Sequence, residues 1–479
     1  MADEPKVKSE IRADLCVIGA GSGGLSVAAG ASRMGAKVIL VEGAEMGGDC
    51  LNTGCVPSKA LIAAAKAAHA VRNGGGFGVA PVEPVIDFAA VQDHVAGVIA
   101  AIAPADSQER FESLGVQVIR AWGKFISPTS LQAGETVITA RRFVIATGSR
   151  ALVPPIPGLD AVPYLTNATI FGLRRCPDHL IIIGGGPIGM EMAQAHRRLG
   201  ARVTVVEAAR AFSRDDPDAA VFVLDQLRAE GVHVLESTQV TRVSGQPGAL
   251  QVHLSGGQVV EGSHLLVAAG RKVVLDQLGL EAAGVVHDRK GVTVGPDLRS
   301  SNRRIYAVGD AAGGLQFTHV AGYQAGIVVR SAVLGLPAKT RSDHIPWVTF
   351  TDPELAQVGL TESEARARHG SALTVQRLDF AHNDRAQTEA RAKGLIKVMV
   401  VGGRPVGATI VGAEAGELIG LWALAMSVRL RISSVAGMVL PYPTRNEISK
   451  RVAGAYFSPK LFDNPVLKRF VQLVQRFIP

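Results

Sequence analysis

Short apolar runs that stop at a glycine or an acid set the rhythm of this chain. Leu15-Cys16-Val17-Ile18 leads into Gly19-Ala20-Gly21-Ser22-Gly23-Gly24. A continuous apolar run of this length predicts a strand buried on both faces, as in a parallel sheet. The glycines after it predict a tight turn that opens a helix. Lys37-Val38-Ile39-Leu40-Val41 predicts a second strand, and it ends in Glu42. The same pattern then returns: Leu180-Ile181-Ile182-Ile183 leads into Gly184-Gly185-Gly186-Pro187-Ile188-Gly189, and Arg202-Val203-Thr204-Val205-Val206 ends in Glu207. One offset of 165 residues carries Gly19 to Gly184, Gly35 to Gly200 and Glu42 to Glu207. The chain therefore holds one βαβ unit twice.

The spacing Gly19, Gly21, Gly24 has a physical reading. The first glycine makes the turn, the second lets a pyrophosphate approach the backbone, and the third lets helix pack on strand. The phosphates then sit on helix N–H groups, where the dipole favours negative charge. Glu42 stands where an acid accepts from ribose hydroxyls. Gly184, Gly186, Gly189 and Glu207 repeat the set. Two such units imply two dinucleotides, most naturally a flavin that stays bound and a nicotinamide that exchanges. Glu207 favours a free 2′-hydroxyl, so NADH is the expected nicotinamide, although Arg210 and Arg214 follow closely and could take a 2′-phosphate.

A dithiol follows the first unit, in Gly47-Gly48-Asp49-Cys50-Leu51-Asn52-Thr53-Gly54-Cys55-Val56-Pro57-Ser58-Lys59. Thiolate is the reactive form of cysteine, and a helix N-terminus or a nearby lysine lowers its pKa. Cys55 to Lys59 spans one helical turn, so Lys59 can share a face with Cys55. Pro57 suits a first turn. A zinc site would need further ligands, and the other cysteines are only Cys16, inside the first strand, and Cys176. Redox work is the expected role of the pair.

Further motifs are Ala146-Thr147-Gly148-Ser149, Ala269-Gly270-Arg271, Tyr306-Ala307-Val308-Gly309-Asp310 and Phe350-Thr351-Asp352-Pro353-Glu354-Leu355-Ala356. With the two fingerprints and the dithiol, they make nearly the whole chain resemble the pyridine nucleotide-disulfide oxidoreductases of the glutathione reductase, lipoamide dehydrogenase and mercuric reductase type. The resemblance implies an α/β fold: two Rossmann-like domains, for FAD and NAD(P)H, and a C-terminal α+β domain that forms a homodimer and completes the partner's active site. The expected divisions are 1–150 and 271–343 for the flavin domain, 151–270 for the nicotinamide domain, and 344–479 for the interface domain. The Pro/Gly-rich run Val153 to Gly158 marks the first crossing. By resemblance Cys50 is the interchange thiol of a redox disulfide, and Cys55 is the thiol facing the flavin. Asp310 binds the ribityl chain, while Lys59 and Glu191 pair beside flavin N5. Gly48, Thr147, Gly148, Gly270, Arg271, Gly309 and Thr318 complete the cofactor cradle.

One departure bears on the substrate. The segment reads Leu440-Pro441-Tyr442-Pro443-Thr444-Arg445-Asn446-Glu447. Disulfide reductases of this type have histidine where Tyr442 stands, backed by a glutamate matching Glu447. Imidazole titrates near neutrality and exchanges protons with the dithiol. A phenol, with a pKa of about 10, is a poor base but still a donor. The leading expectation is a dihydrolipoyl dehydrogenase-like enzyme, passing hydride from NADH through FAD and the Cys50–Cys55 pair to a disulfide, small or protein-bound; the alternatives are a metal ion, or a quinone or other oxidant. His319 and His382 are the candidates to replace the lost base.

Composition narrows the setting. Four cysteines in 479 residues exclude a disulfide-stapled secreted domain. The charged start Met1 to Lys6 carries no apolar signal segment. No apolar run is read as long enough to span a bilayer, and a cytoplasmic enzyme is expected. The net charge is +8, but the cations are scattered, which excludes a nucleic-acid footprint. At the C-terminus, Val466, Leu467, Phe470, Val471, Val474, Phe477 and Ile478 share one helical face, and Lys468, Gln472, Gln475 and Arg476 lie opposite. This basic amphipathic helix is a candidate for contact with a membrane surface or a partner.

Overall fold

Apolar runs closed by glycine do become buried parallel strands. The computed structural model describes residues 8–478; Met1 to Lys6 lies outside them. Two compact units emerge, one made of residues 8–73, 81–208 and 235–341, the other of 74–80, 209–234 and 342–478.

In the first unit, strand Ser9–Ile18 lies between Val38–Val41 and Thr136–Ile145, all parallel. Gln117–Ile119 extends the sheet on one side and Ile305–Ala307 on the other, again parallel. Two short antiparallel strands, Gly123–Ser127 and Ser130–Ala133, complete it. Register is what matters for function. Ile18 stands opposite both Val41 and Ile145, and Ile145 opposite Ala307. The carboxyl ends of four strands therefore finish level, and the residues after them (Gly19, Glu42, Ala146 and Val308) meet at one edge. That edge is where open α/β sheets bind ligands.

The second βαβ unit repeats the geometry. His179–Ile183 lies between parallel Arg202–Val206 and His264–Val267, with Ile183 opposite both Val206 and Val267. Beside it is an antiparallel sheet of Val240–Gln246, Ala249–Leu254 and Val259–Gly262. The two crossings between the halves run side by side, Ser149–Ala151 paired with Arg271–Val273.

The second unit carries a five-stranded antiparallel sheet, ordered Pro346–Thr349, Glu354–Gly359, Arg404–Gly412, Leu395–Val401, Leu373–Asp379. Helices Ala415–Ser427 and Glu447–Ala455 pack on it around the fully buried Trp422, whose indole N–H donates to Ser449 Oγ at 3.3 Å.

One expectation needs correction. The stretch Phe88–Ser113 is long and apolar enough, by length and composition, to span a bilayer. Its interruption hides this in the sequence: helix Phe88–Ile102 passes through a 3₁₀ turn at Ala103–Asp106 into helix Gln108–Ser113. Phe88, Gln92, Val95 and Phe111 are buried against the protein.

Candidate active site

Gly19 has φ +106° and Gly184 φ +117°, both in the left-handed region. A Cβ on Gly19 would strike the carbonyl of Ala146, and one on Gly184 the carbonyl of Ala268. A Cβ on Gly24 or Gly189 would strike the carbonyl of Gly19 or Gly184 in turn. Gly21 and Gly186 are the N-caps of helices Ser22–Arg33 and Pro187–Arg198, with nearly identical dihedrals. The repeat thus holds at the level of single backbone angles.

The acids repeat as well. Glu42 Oε2 accepts from the N–H of Ala20 at 2.5 Å, and Glu207 Oε2 accepts from the N–H of Gly185 at 2.6 Å. Glu42 Oε1 also accepts from the N–H of Ala44 at 2.6 Å. Each acid therefore braces its own glycine turn, a structural duty that the ribose reading of the sequence left out.

The dithiol segment folds onto the first fingerprint. Gly47 bridges Gly21, and a Cβ on Gly48 would reach Cα of Gly21 at 2.7 Å. Both glycines have positive φ. Cys50 lies in the short helix Gly48–Asn52, and Cys55 opens helix Cys55–Arg72. Both thiols are free of a disulfide bond, so the pair stands as a dithiol.

The two sulfurs are electrostatically unequal. Cys55 is pulled down to about 6, chiefly by a hydrogen bond from Cys50, then by the Thr318 hydroxyl at 3.5 Å and the charge of Lys59, against burial and Asp49. Cys50 is pushed well above the ordinary thiol value by that same hydrogen bond and by burial. The pair therefore rests as a Cys55 thiolate holding the proton of Cys50. Cys16, fully buried in the first strand, is pushed up by burial, as is Cys176.

Lys59 Nζ meets Glu191 Oε2 at 2.8 Å. Glu191 comes from the first helix of the second repeat and is buried, so this pair ties the nicotinamide half to the dithiol helix. Asp310 follows strand Ile305–Ala307; its Oδ2 accepts from the Ser149 hydroxyl. Burial pushes this carboxyl up, opposed by Ser149 and Arg271. Arg271 donates to Ser149 Oγ at 2.6 Å and to Asp49 Oδ2 at 2.9 Å. Asp49 also accepts from Asn167 and from Thr53, each at 2.8 Å. Asp49, Ser149 and Asn167 were missed by sequence reasoning. The signal for Asp49 was an acid directly before Cys50, and for Ser149 the hydroxyl closing Ala146-Thr147-Gly148-Ser149; Asn167 had none.

A flavin dinucleotide fits what the residues leave open. The glycine cradle would be filled by any Cβ. Thr147 Oγ1, buried at the end of Thr136–Ile145, has no partner, while Cys55 and Thr318 are exposed. Gly19, Gly21, Gly24, Glu42, Gly48, Thr147, Gly148, Gly309, Asp310 and Thr318 are the residues to hold it. Gly184, Gly186, Gly189, Glu207 and Gly270 would face the nicotinamide dinucleotide.

Tyr442 lies in the second unit and is 70 % exposed. Its hydroxyl donates to Asp384 Oδ2 at 3.0 Å and not to Glu447. That hydrogen bond, with the charge of Asp384, holds the phenol above its usual value. Glu447 starts helix Glu447–Ala455 and accepts from the N–H of Thr444 at 3.4 Å. Buried Asn383 donates to the carbonyls of Thr444 and Arg445 and so holds the Tyr442 loop against Asp384. His319 stacks on Phe317, and the His382 carbonyl accepts from Arg451. Among the described residues no group of three or more His, Cys, Asp or Glu side chains is placed to hold a metal ion.

Comparison with known proteins agrees with this architecture. Residues 13–325 match the description "Pyridine nucleotide-disulphide oxidoreductase", and 345–453 match its dimerisation domain. A mercuric reductase of Streptomyces lividans is 35% identical over 460 residues, covering 93% of this chain and 96% of that one. A dihydrolipoyl dehydrogenase of Bacillus subtilis (strain 168) is 31% identical over 444 residues, covering 90% and 96%. Among solved structures, the Cu(II) complex of the HOCl-induced flavoprotein disulfide reductase RclA from Escherichia coli superposes with TM-score 0.82 at 28% identity, covering 91% of this chain and 98% of that one.

Proposed function

The chain belongs to the pyridine nucleotide-disulphide oxidoreductases, FAD-dependent enzymes that use NAD(P)H, and from that premise we propose that it reduces a thiophilic metal ion. The match to a dimerisation domain supports a homodimer. Bound FAD supplies the hydride acceptor between nicotinamide and dithiol. The two electrons that arrive reduce the Cys50–Cys55 disulfide to the dithiol; they leave, with the thiol protons going to water, when one Hg(II) held by the sulfurs is reduced to the metal, or two Cu(II) ions to Cu(I), and the disulfide re-forms.

The observation that carries this reading is Tyr442. Its phenol is spent on Asp384 and held above its usual value, so it is no base at neutral pH. A soft cation needs no base, because binding to sulfur itself displaces the thiol proton. The Cys55 thiolate offers the first sulfur, and Cys50 gives up its proton as the ion binds. The names of the relatives lean the same way. The second reading is a disulfide acceptor, favoured by the likeness to a dihydrolipoyl dehydrogenase. For the nicotinamide, Glu207 repels a 2′-phosphate, which favours NADH.

The test is oxidation of NADH and of NADPH by the FAD-loaded protein with Hg(II) or Cu(II), with oxidised lipoamide and with a soluble quinone, alongside Cys50→Ser. Turnover with a metal ion that Cys50→Ser abolishes is the expected result. Under the same reading Tyr442→His adds lipoamide turnover without speeding the metal reaction. Lipoamide turnover by the unaltered protein, with none on metal ions, would transfer the assignment to disulfides. Quinone turnover that survives Cys50→Ser would remove the dithiol from the reaction.

A further inference from the structure

Beyond the matched dimerisation domain, which ends at residue 453, the chain builds helix Pro465–Phe477. The helix is formed on local terms: Asn464 caps it, accepting from the N–H of Val466 at 3.0 Å and of Leu467 at 3.2 Å, and Pro465 sits in the first turn. None of its residues is buried. Val466, Phe470, Val471, Leu473, Phe477 and Ile478 are between 48% and 73% exposed, and Leu467 and Val474 are half-buried.

At 3.6 residues per turn, every apolar side chain from Val466 to Ile478 falls within an arc of about 160°. Lys468, Arg469, Gln472, Gln475 and Arg476 fill the remainder, with no acid in the helix. So broad an apolar face is wider than the narrow seam of a coiled coil, and it suits a flat boundary between water and hydrocarbon. The cations lie where their stems can reach past that face to anionic headgroups. Charge selects among occupants, because three cations and no acid on the helix complement an anionic surface.

We propose that helix Pro465–Phe477 docks the enzyme on an anionic lipid surface, lying in the plane of the interface with its apolar face down. Leu461 and Phe462, just before the helix, are exposed as well.

The test is flotation of the FAD-loaded full chain with vesicles of phosphatidylcholine alone and of phosphatidylcholine mixed with phosphatidylglycerol. Binding is expected to the anionic vesicles and to fall on the order of a hundredfold on neutral ones, from the three cations. Phe470→Glu with Phe477→Glu is expected to abolish binding, and Gln472→Ala to leave it unchanged. All variants should keep bound flavin and turnover with a soluble acceptor, which separates lost docking from lost folding. Absence of binding by the unaltered protein to anionic vesicles overturns the proposal. If the Phe470→Glu, Phe477→Glu variant then changes the oligomeric state, a second copy of the chain is what covers this face.

Discussion

The two active-site sulfurs carry the same chemistry in different surroundings, and the difference assigns their work. Cys55 receives hydrogen bonds from Cys50 and Thr318 and the field of Lys59, so it holds the negative charge. Cys50 keeps the proton and presents, once it loses that proton, the sulfur that attacks or binds an acceptor. In the dithiol form, the charge-transfer absorbance of a thiolate beside the flavin should persist at neutral pH and fade as pH drops through about 6. Because this value lies below that of an ordinary thiol, the thiolate's stabilisation of the reduced chain is full above the ordinary value and lost as pH falls through about 6. Thr318→Val removes one donor to the sulfur, and the midpoint is expected to move up. A midpoint that stays put in this variant would show that Thr318 does not stabilise the charge.

Strands, turns and caps made most of this molecule legible in its sequence. The glycine spacing located both turns to the residue, because only glycine meets a positive φ with a carbonyl in the place of Cβ. Of the pairs that span long separations, Lys59 with Glu191 was legible only through resemblance and Arg271 with Asp49 not at all, because nothing in local periodicity brings them together. Helix Phe88–Ile102 and its continuation were underread because polar breaks disguise a long helical stretch. The expected division at 150/151 falls inside crossing strand Ser149–Ala151, and that at 270/271 at the start of its partner, Arg271–Val273. The twofold architecture also lets its halves be tested apart. Gly184→Val puts a branched side chain at φ +117° against the Ala268 carbonyl, a strain of about 1–3 kcal/mol or more. The variant should keep bound FAD, seen in its visible spectrum, yet fail to be reduced by NADH. Loss of FAD together with NADH reduction would show that the second turn is needed to fold the first.

At the scale of the whole molecule the units do not follow sequence order, and a buried charge marks one of the departures. Helix Pro217–Ala229 lies in the sequence between strands of the nicotinamide half, but it belongs to the unit built on the antiparallel sheet. Lys397, on strand Leu395–Val401, is 3% exposed and meets Asp216 at 3.0 Å, Asp218 at 2.6 Å and Glu362 at 2.9 Å. Burial pulls its ammonium down, and the three carboxylates outweigh that and hold it above the usual lysine value. Asp216 is itself 1% exposed and caps the same helix, accepting from the N–H of Asp218. Lys397 is the counter-ion that lets Asp216 be buried. Removing one partner of a buried pair leaves an uncompensated charge and costs about 3–5 kcal/mol. Lys397→Met is therefore expected to unfold at markedly lower denaturant, followed by tryptophan emission. Lys397→Met together with Asp216→Asn should recover part of that loss, because the buried one of the three orphaned charges is gone, the more exposed Asp218 and Glu362 keep water, and an amide can still accept from the helix N–H groups. Equal destabilisation in the single and double variants would mean that the cluster acts through packing and not through charge.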